Sequence, residues 1–461
     1  MKKDNEEKER IKEENKNLIK KNNELEQQLK EKQTQYNNLL SKIDKNNNNI
    51  KSTKIRNDFN PQTNINKNNK ISNLNNLHYP LSEYYSPTLV GLNNIGATCF
   101  MNSTLQCLSQ TKDLTNYFLN EKNEDQIYNN NLALEDKKSL QLSPVYKELI
   151  DKLWEERGEQ SFSPNNFMNT IEQMNPLFKL GQAGDSKDFI IFILEQFHKE
   201  LKKAIKTTPT NNEPLNLYDK NNSFMHFFED FQQDVSIISD TFFGITETTN
   251  VCLNCKQNYN SQGLNNPTCY NYEIFNCLIF PLEEVKNMKN NNSMQNSGGS
   301  YQMNNYNYNN YNNNQVTLYD CFFYNQKTEL FNGENQNYCN ICKQLSDSLY
   351  TSRIFSSPKI LVLILNRGKN NIYNVKLNFE EKINITQFVL QRDTPQLIYS
   401  LYGVITHHGQ SGPSAHFMAA CKSPIDNKWY RYNDAFVTPI NNVKKDVIDF
   451  GTPYILFYQK E

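Results

Sequence analysis

The sequence contains no apolar run near the roughly 18 residues that a membrane-spanning helix needs, and its opening MKKDNEEKER lacks the apolar core of a signal peptide. Both absences point to a soluble chain of the cytoplasm and/or nucleus. An excess of charge is missing too: 49 Lys+Arg against 50 Asp+Glu leave a formal net charge of -1, with the two signs interleaved. That removes the electrostatic footprint of a nucleic-acid binder or of a protein held on an anionic membrane, and favours a protein or small-molecule partner. Hydrophobic residues are scarce, at 37%, but the shortage is local.

Three segments account for it. Residues 1–50 are rich in Lys, Glu, Asn and Gln, yet Ile11, Leu18, Leu25 and Leu39 share one seven-residue frame, and Leu29, Tyr36 and Ile43 its companion. This is the seam of a coiled coil through which the chain would self-associate, although Lys32 and Asn22 interrupt it and leave a merely solvated helix as the alternative. Residues 51–86 are Asn-rich and patternless, which reads as a disordered linker. Residues 287–315, NMKNNNSMQNSGGSYQMNNYNYNNYNNNQ, read as a disordered low-complexity insertion.

What remains, residues 87–461, divides in two. FMNSTLQCLSQT, PVYKELIDKLWEE and DSKDFIIFILEQFHKELKKA carry apolar residues at helical spacing or nearly all round. From residue 268 onward strands dominate, as in KILVLILNR, SLYGVITHH, AHFMAACK, KWYRYND and PYILFYQK. The order predicts an α+β fold, a helical lobe followed by a largely antiparallel sheet.

Within GLNNIGATCFMNSTLQCL, Cys99 stands between a Gly/Asn-rich turn and the start of a helix. The unpaired N–H groups and positive dipole end there favour a thiolate, so the position suits a nucleophile. A thiol nucleophile needs a proton acceptor, and three of the six histidines fall in ITHHGQSGPSAHFMAACK, whose central loop makes it a hairpin. His416 would open the second strand, facing a cleft; His407 and His408 would end the first, as structural or cleft-lining groups. An imidazole paired with a thiolate works best when a third group holds its other N–H. WYRYNDAFV offers Asn433 and Asp434, and chemistry alone favours the charged Asp434. The ten cysteines also include CLNC at 252–255 and CNIC at 339–342. Two such knuckles supply four thiolates for a closed tetrahedral metal site, predicting a structural zinc at Cys252, Cys255, Cys339 and Cys342. Cys269 and Cys277 offer alternative ligands at poor spacing; with Cys107, Cys321 and Cys421 they are better read as small buried apolar residues.

These stretches together resemble the ubiquitin-specific proteases. GLNNIGATCFMNSTLQCL is similar to their cysteine box and LYGVITHHGQSGPSAHF with WYRYNDAFV to their histidine box, while KILVLILNRG and PYILFYQK match family strands, with Gly368 standing where an aromatic is usual. The resemblance implies a papain-like cysteine protease with a helical thumb, an antiparallel palm and zinc-ribbon fingers, acting as a thiol-dependent deubiquitinase on ubiquitin and ubiquitinated proteins. It implies Cys99 as nucleophile, His416 as general base and acid, and Asn433, in place of Asp434, as the group orienting the imidazole. Asn94 would be the oxyanion donor, worth on the order of 3 kcal/mol at the transition state, and its neighbour Asn93 a turn residue. GQAGDSKDF is the counterpart of the family's acidic motif. There Asp185 would contact the ubiquitin tail, although Ala183 replaces an expected Gln and Gln182 lies one position early; Asp185 with Asp188 also reads simply as a helix cap. Rival readings are a catalytically silent ubiquitin-binding adaptor and a coiled-coil scaffold.

Overall fold

The computed structural model describes residues 80–128, 141–155, 158–204, 214–256, 267–295, 315–368, 374–409 and 415–461. The coiled coil expected over 1–50 and most of the expected linker lie outside the described residues. The linker's end does not behave as read. Pro80 and Leu81 are buried, Leu81 N donates to Asn116 Oδ1 at 2.9 Å, and the Tyr84 ring packs edge-on against Trp154. The ordered unit therefore begins before residue 87, because a Pro, a Leu and a Tyr in otherwise polar surroundings suffice to dock it.

The first half is helical. A short parallel pair, β1 (Gly91–Leu92) with β2 (Ser161–Phe162), borders α1 (Cys99–Ser109), α2 (Lys112–Leu119), α3 (Leu142–Leu153), α4 (Asn165–Met174) and α5 (Ser186–Leu201). In α5, Phe189, Ile190, Ile193, Leu194, Phe197 and Leu201 are fully buried, the wide apolar stripe of a helix enclosed by its neighbours. Its buried Glu200 is held by polar contacts, the carboxylate accepting Leu142 N at 2.8 Å and Ser143 N at 2.7 Å and so satisfying orphan donors that open α3. Helices α6 (Lys220–Gln233) and α7 (Ile237–Phe242) lead out of this lobe.

Two sheets follow. β3 (Gly244–Cys252), β4 (Thr268–Phe275), β6 (Thr328–Phe331) and β9 (Ser348–Ser356) form a four-stranded sheet in the order β4-β3-β9-β6, with the small hairpin β7 (Asn337–Cys339) and β8 (Gln344–Ser346) beyond its end. Strands thus dominate from residue 244 rather than 268; GITETTNVC has too few large apolar residues to announce one. The longer sheet orders its strands β14-β13-β12-β11-β15-β10-β5, built from β5 (Leu278–Pro281), β10 (Ile360–Asn366), β11 (Ile398–His408), β12 (His416–Lys422), β13 (Trp429–Asn433), β14 (Phe436–Ile440) and β15 (Thr452–Lys460). Alternate residues of β10 divide between two apolar cores: Ile360, Val362 and Ile364 face the helical lobe, while Leu361, Leu363 and Leu365 join Phe280, Phe322 and Phe388 on the other side. A strand buried on both faces explains the unbroken apolar run ILVLIL.

The low-complexity tract is corrected at its start. Residues 287–295 belong to helix α8 (Leu282–Gln295), which precedes α9 (Leu318–Asn325). Buried Leu282 and Val285 anchor the first turn of α8, and Lys289 Nζ reaches Asp320 Oδ2 at 2.9 Å. Residues 296–314 lie outside the described residues.

Candidate active site and metal cluster

The backbone before Cys99 is set by two unusual residues, Gly96 at φ +135° and Ala97 at φ +55°, after which the chain enters α1 with Cys99 as its first residue. Asn94 organises the turn, its Oδ1 accepting Gly96 N at 3.2 Å and Thr98 N at 3.1 Å. Cys99 is buried, only 7% of it being exposed. Helix α1 lies against β12, and Cys107 Sγ on the helix sits 3.5 Å from Cys421 Sγ on the strand. Burial pushes the Cys107 thiol well above its ordinary value, so it is inert packing, whereas Cys99 hydrogen-bonds with His416. Cys321 is likewise buried, and Cys277, though partly exposed, packs against the first core with its thiol pushed up by burial; Cys269 keeps partial exposure, against its sequence reading.

His416 opens β12 directly across from His408, the hairpin that the sequence suggested. Its Nε2 donates to Asn433 Oδ1 at 2.6 Å, an oxygen that can only accept, which leaves Nδ1 for Cys99. Hydrogen bonding with Cys99 is the largest influence on the ring and, aided by Asn433 and by the charges of Cys99 and Asp434, raises it against burial to about 9. Cys99, His416 and Asn433 are thus brought together as one chain of hydrogen bonds. His407 is buried edge-on against Phe417, and burial lowers its pKa as it does that of His408. Both are held toward the neutral form beside an imidazole held toward the charged one.

Asp434 is not the imidazole's partner that chemistry alone favoured; it opens a two-residue turn. Strand β13 stops at Asn433, and Asp434 turns away at φ +48°. Its carboxylate accepts Asn94 Nδ2 at 3.0 Å and Asn102 Nδ2 at 2.8 Å. It therefore holds Asn94 and the catalytic helix rather than the imidazole. Asn102 was not singled out from sequence. A buried Asn three residues along the helix from the nucleophile is its signal, since such an amide must find partners, here also Leu92 O and Asn93 O. Asn93 donates to Ser163 Oγ at 2.7 Å, as befits a structural turn residue.

Asp185 caps α5, its Oδ1 accepting Lys187 N at 2.8 Å, and both its oxygens accept the Tyr454 hydroxyl at 2.7 and 2.8 Å. Tyr454, the first tyrosine of PYILFYQK, was missed because a strand tyrosine has no distinctive spacing. Asp188 takes no part in a capping box; it lies 3.6 Å from Lys187 Nζ at the surface. Gln182 is exposed.

At the far end of the four-stranded sheet, the sulfurs of Cys252, Cys255, Cys339 and Cys342 all lie within 4.8 Å of one another. Cys252 Sγ is 3.8 Å from Cys342 Sγ, and Cys255 Sγ is 3.7 Å from Cys339 Sγ. Thiolates bound at about 2.3 Å in a tetrahedron lie about 3.8 Å apart, so the donor set fits one zinc ion. The cradle is made by local backbone: Lys343 at φ +56° closes the second knuckle with Lys343 N to Cys339 O at 2.8 Å, and Leu253 N to Asp347 O ties the first to the approach to β9.

A thiol at a helix N-terminus facing an imidazole from an antiparallel sheet, itself held by an amide, defines a papain-like fold. A family model described as ubiquitin carboxyl-terminal hydrolase matches residues 90–458, and the chain belongs to that family. Ubiquitin carboxyl-terminal hydrolase 2 of Bos taurus is 27% identical over 378 residues, covering 80% of this chain and 55% of the relative. Ubiquitin carboxyl-terminal hydrolase 21 of Rattus norvegicus is 25% identical over 392 residues, covering 80% of this chain and 61% of the relative. The chain thus spans little more than half the length of these relatives. Among solved structures, the SAGA Ubp8/Sgf11/Sus1/Sgf73 DUB module bound to ubiquitin aldehyde shares the fold, with a TM-score of 0.54 at 20% identity over 82% of this chain and 70% of that chain. The helical lobe, long sheet and four-stranded sheet are then thumb, palm and fingers.

Proposed function

We propose that the chain is a deubiquitinase, a cysteine-type protease that hydrolyses the isopeptide or peptide bond at the C-terminal glycine of ubiquitin through an acyl-enzyme. The observation that carries this reading is the hydrogen-bonded chain Cys99, His416, Asn433. The substrate is supported by the names of the relatives and by a structural neighbour bound to ubiquitin aldehyde.

In this mechanism the Cys99 sulfur attacks the glycine carbonyl carbon, and charge develops on its oxygen. An amide nitrogen carries two hydrogens; one from Asn94 goes to Asp434, and the other joins the Cys99 backbone N–H at the oxyanion. As the tetrahedral intermediate collapses, the C–N bond breaks and His416 gives its proton to the departing amine. The neutral imidazole then takes a proton from water, whose oxygen attacks the thioester and releases the carboxylate and Cys99. Asn433 keeps the ring in the productive tautomer throughout. Asp185, fixed by Tyr454, has acceptor capacity left for an N–H of the extended ubiquitin tail.

Cys252, Cys255, Cys339 and Cys342 would hold one zinc ion, which when bound supplies a structural clamp with no open coordination position. Residues 1–50 would add self-association through a coiled coil. The deciding experiment reacts the protein with ubiquitin bearing a C-terminal electrophile. Cys99 is the expected site of labelling, and Cys99→Ala abolishes labelling and cleavage while binding persists. Binding without labelling of the wild-type chain supports a silent adaptor instead, and no interaction at all points to a scaffold.

A further inference from the structure

Phe436 is 74% exposed, although it stands beside the hydrogen-bonded chain that defines the active site. It is the cross-strand partner of Asn433 in the β13–β14 hairpin. Directly opposed residues of an antiparallel pair project to the same face of the sheet. The phenyl ring therefore rises on the face where Asn433 meets His416.

Its support is rigid. The two-residue turn Asp434–Ala435 is pinned by Leu92 N to Asp434 O at 2.9 Å and by both amides on the Asp434 carboxylate. Gly91 lies so close that a Cβ there would come within 2.2 Å of Ala435 O. Phe436 stays exposed among the described residues, so a chain entering on this face meets an aromatic surface on a fixed turn.

The occupant follows from which side of Cys99 it occupies. Positions 100 and 102 lie about 200° apart around a helix. Phe100 packs on Phe178 and Phe189, toward Gly184 and Asp185. Asn102 points the opposite way, to Asp434. The nucleophile thus sits between an Asp185 side and an Asp434–Phe436 side. With the acyl chain entering past Asp185, the departing amine leaves past Phe436.

We propose that Phe436 is a specificity-determining residue on the leaving-group side, covering the aliphatic stem of the scissile lysine and the adjoining residues of the released polypeptide. This rests on the deubiquitinase reading above. The lysine stem supplies four methylenes to the ring, and the neutral amine that forms as His416 gives up its proton becomes an ammonium by taking a second proton from solvent, beside an aromatic face and the Asp434 carboxylate, both favourable to a cation.

The test compares two probes on wild type, Phe436→Ser and Phe436→Tyr. One is ubiquitin joined by an isopeptide bond to a lysine-containing peptide; the other is ubiquitin with a C-terminal alkyne, which labels Cys99 without a leaving polypeptide. Phe436→Ser is expected to lower kcat/KM on the isopeptide about five- to tenfold while labelling keeps the wild-type rate, and Phe436→Tyr restores cleavage. Undiminished isopeptide cleavage by Phe436→Ser overturns the proposal alone. So does an equal fall in cleavage and labelling, which marks a structural role. A wild-type chain that neither labels nor cleaves overturns the deubiquitinase reading and this proposal with it.

Discussion

The junction of thumb and palm and the tip of the fingers are held by different physics. Around α1 and β12, one continuous apolar core runs from Leu105 and Leu108 to Ala419 and Ile455, and the catalytic groups are mounted on its rim. At the fingertip, the buried cluster among the described residues is Cys252, Cys255 and Cys339 with Cys342 against it, and Leu330, Tyr338 and Leu345 are exposed. A four-stranded sheet with so little to bury at its end needs another source of order there, and four convergent thiols supply it. Burial positions a nucleophile to be used; the thiol cluster positions strands to be kept.

Separate replacements in the two regions should break that comparison cleanly if it is right. Cys99→Ala removes the nucleophile and is expected to lower turnover by roughly 10⁴-fold or more, with unchanged Tm and unchanged metal content. Cys252→Ser does the reverse. It is expected to lose the bound zinc, measured by elemental analysis, and to destabilise the chain by about 2–5 kcal/mol, while a folded fraction still labels at Cys99. Strong chelator should lower the Tm of the wild type and leave that of Cys252→Ser unmoved. A zinc-free wild type with the same Tm in chelator would refute the clamp.

Legibility in the sequence differed between the regions for related reasons. The knuckles were readable because CxxC fixes two sulfurs by local backbone alone, and two copies need only meet. Cys99 and His416 were readable because a helix start and a hairpin are also local. Roles that depend on tertiary meeting were not. Asp434 looked like an imidazole partner by chemistry, and only the positive φ that ends β13 sends its carboxylate to Asn94 and Asn102 instead. The strand over 244–252 and the helix over 287–295 were hidden because their stability comes from neighbouring strands and two anchor residues rather than from periodicity.

A sharper cut lies within the active site itself. Asn433→Ala removes one of the influences that raise His416, so the imidazole's pKa should move down from about 9. The imidazolium must protonate the leaving amine, so activity is present below the folded pKa and lost as pH rises through it. The alkaline limb of kcat/KM should therefore shift to lower pH, with a loss of about 10- to 100-fold at neutrality. Asp434→Asn keeps the imidazole's partner but weakens the acceptor of two amides. Its loss should be smaller, about tenfold, and its alkaline limb should shift down by less than that of Asn433→Ala, because Asp434 raises His416 only through its charge, the least of the influences on the ring, while its main role is to hold Asn94. A limb that moved as far for Asp434→Asn as for Asn433→Ala would assign Asp434 to the imidazole after all.

The smallest effect concerns the strap ahead of the catalytic unit, which sides with the apolar region rather than the metal one. Removing residues 1–79 leaves Leu81 and Tyr84 in place, and labelling by electrophilic ubiquitin is expected at the wild-type rate. Removing residues 1–86 strips buried Leu81 from its site, leaves Asn116 Oδ1 without the Leu81 N–H, and takes the Tyr84 ring off Trp154. Lost burial, one buried hydrogen bond and one aromatic contact sum to about 2–3 kcal/mol. In so large a unit that lowers Tm by only a few degrees, without altering zinc content or the pH limbs. Equal melting of the two truncations would place the true start of the folded unit after residue 86, where the sequence pattern first put it.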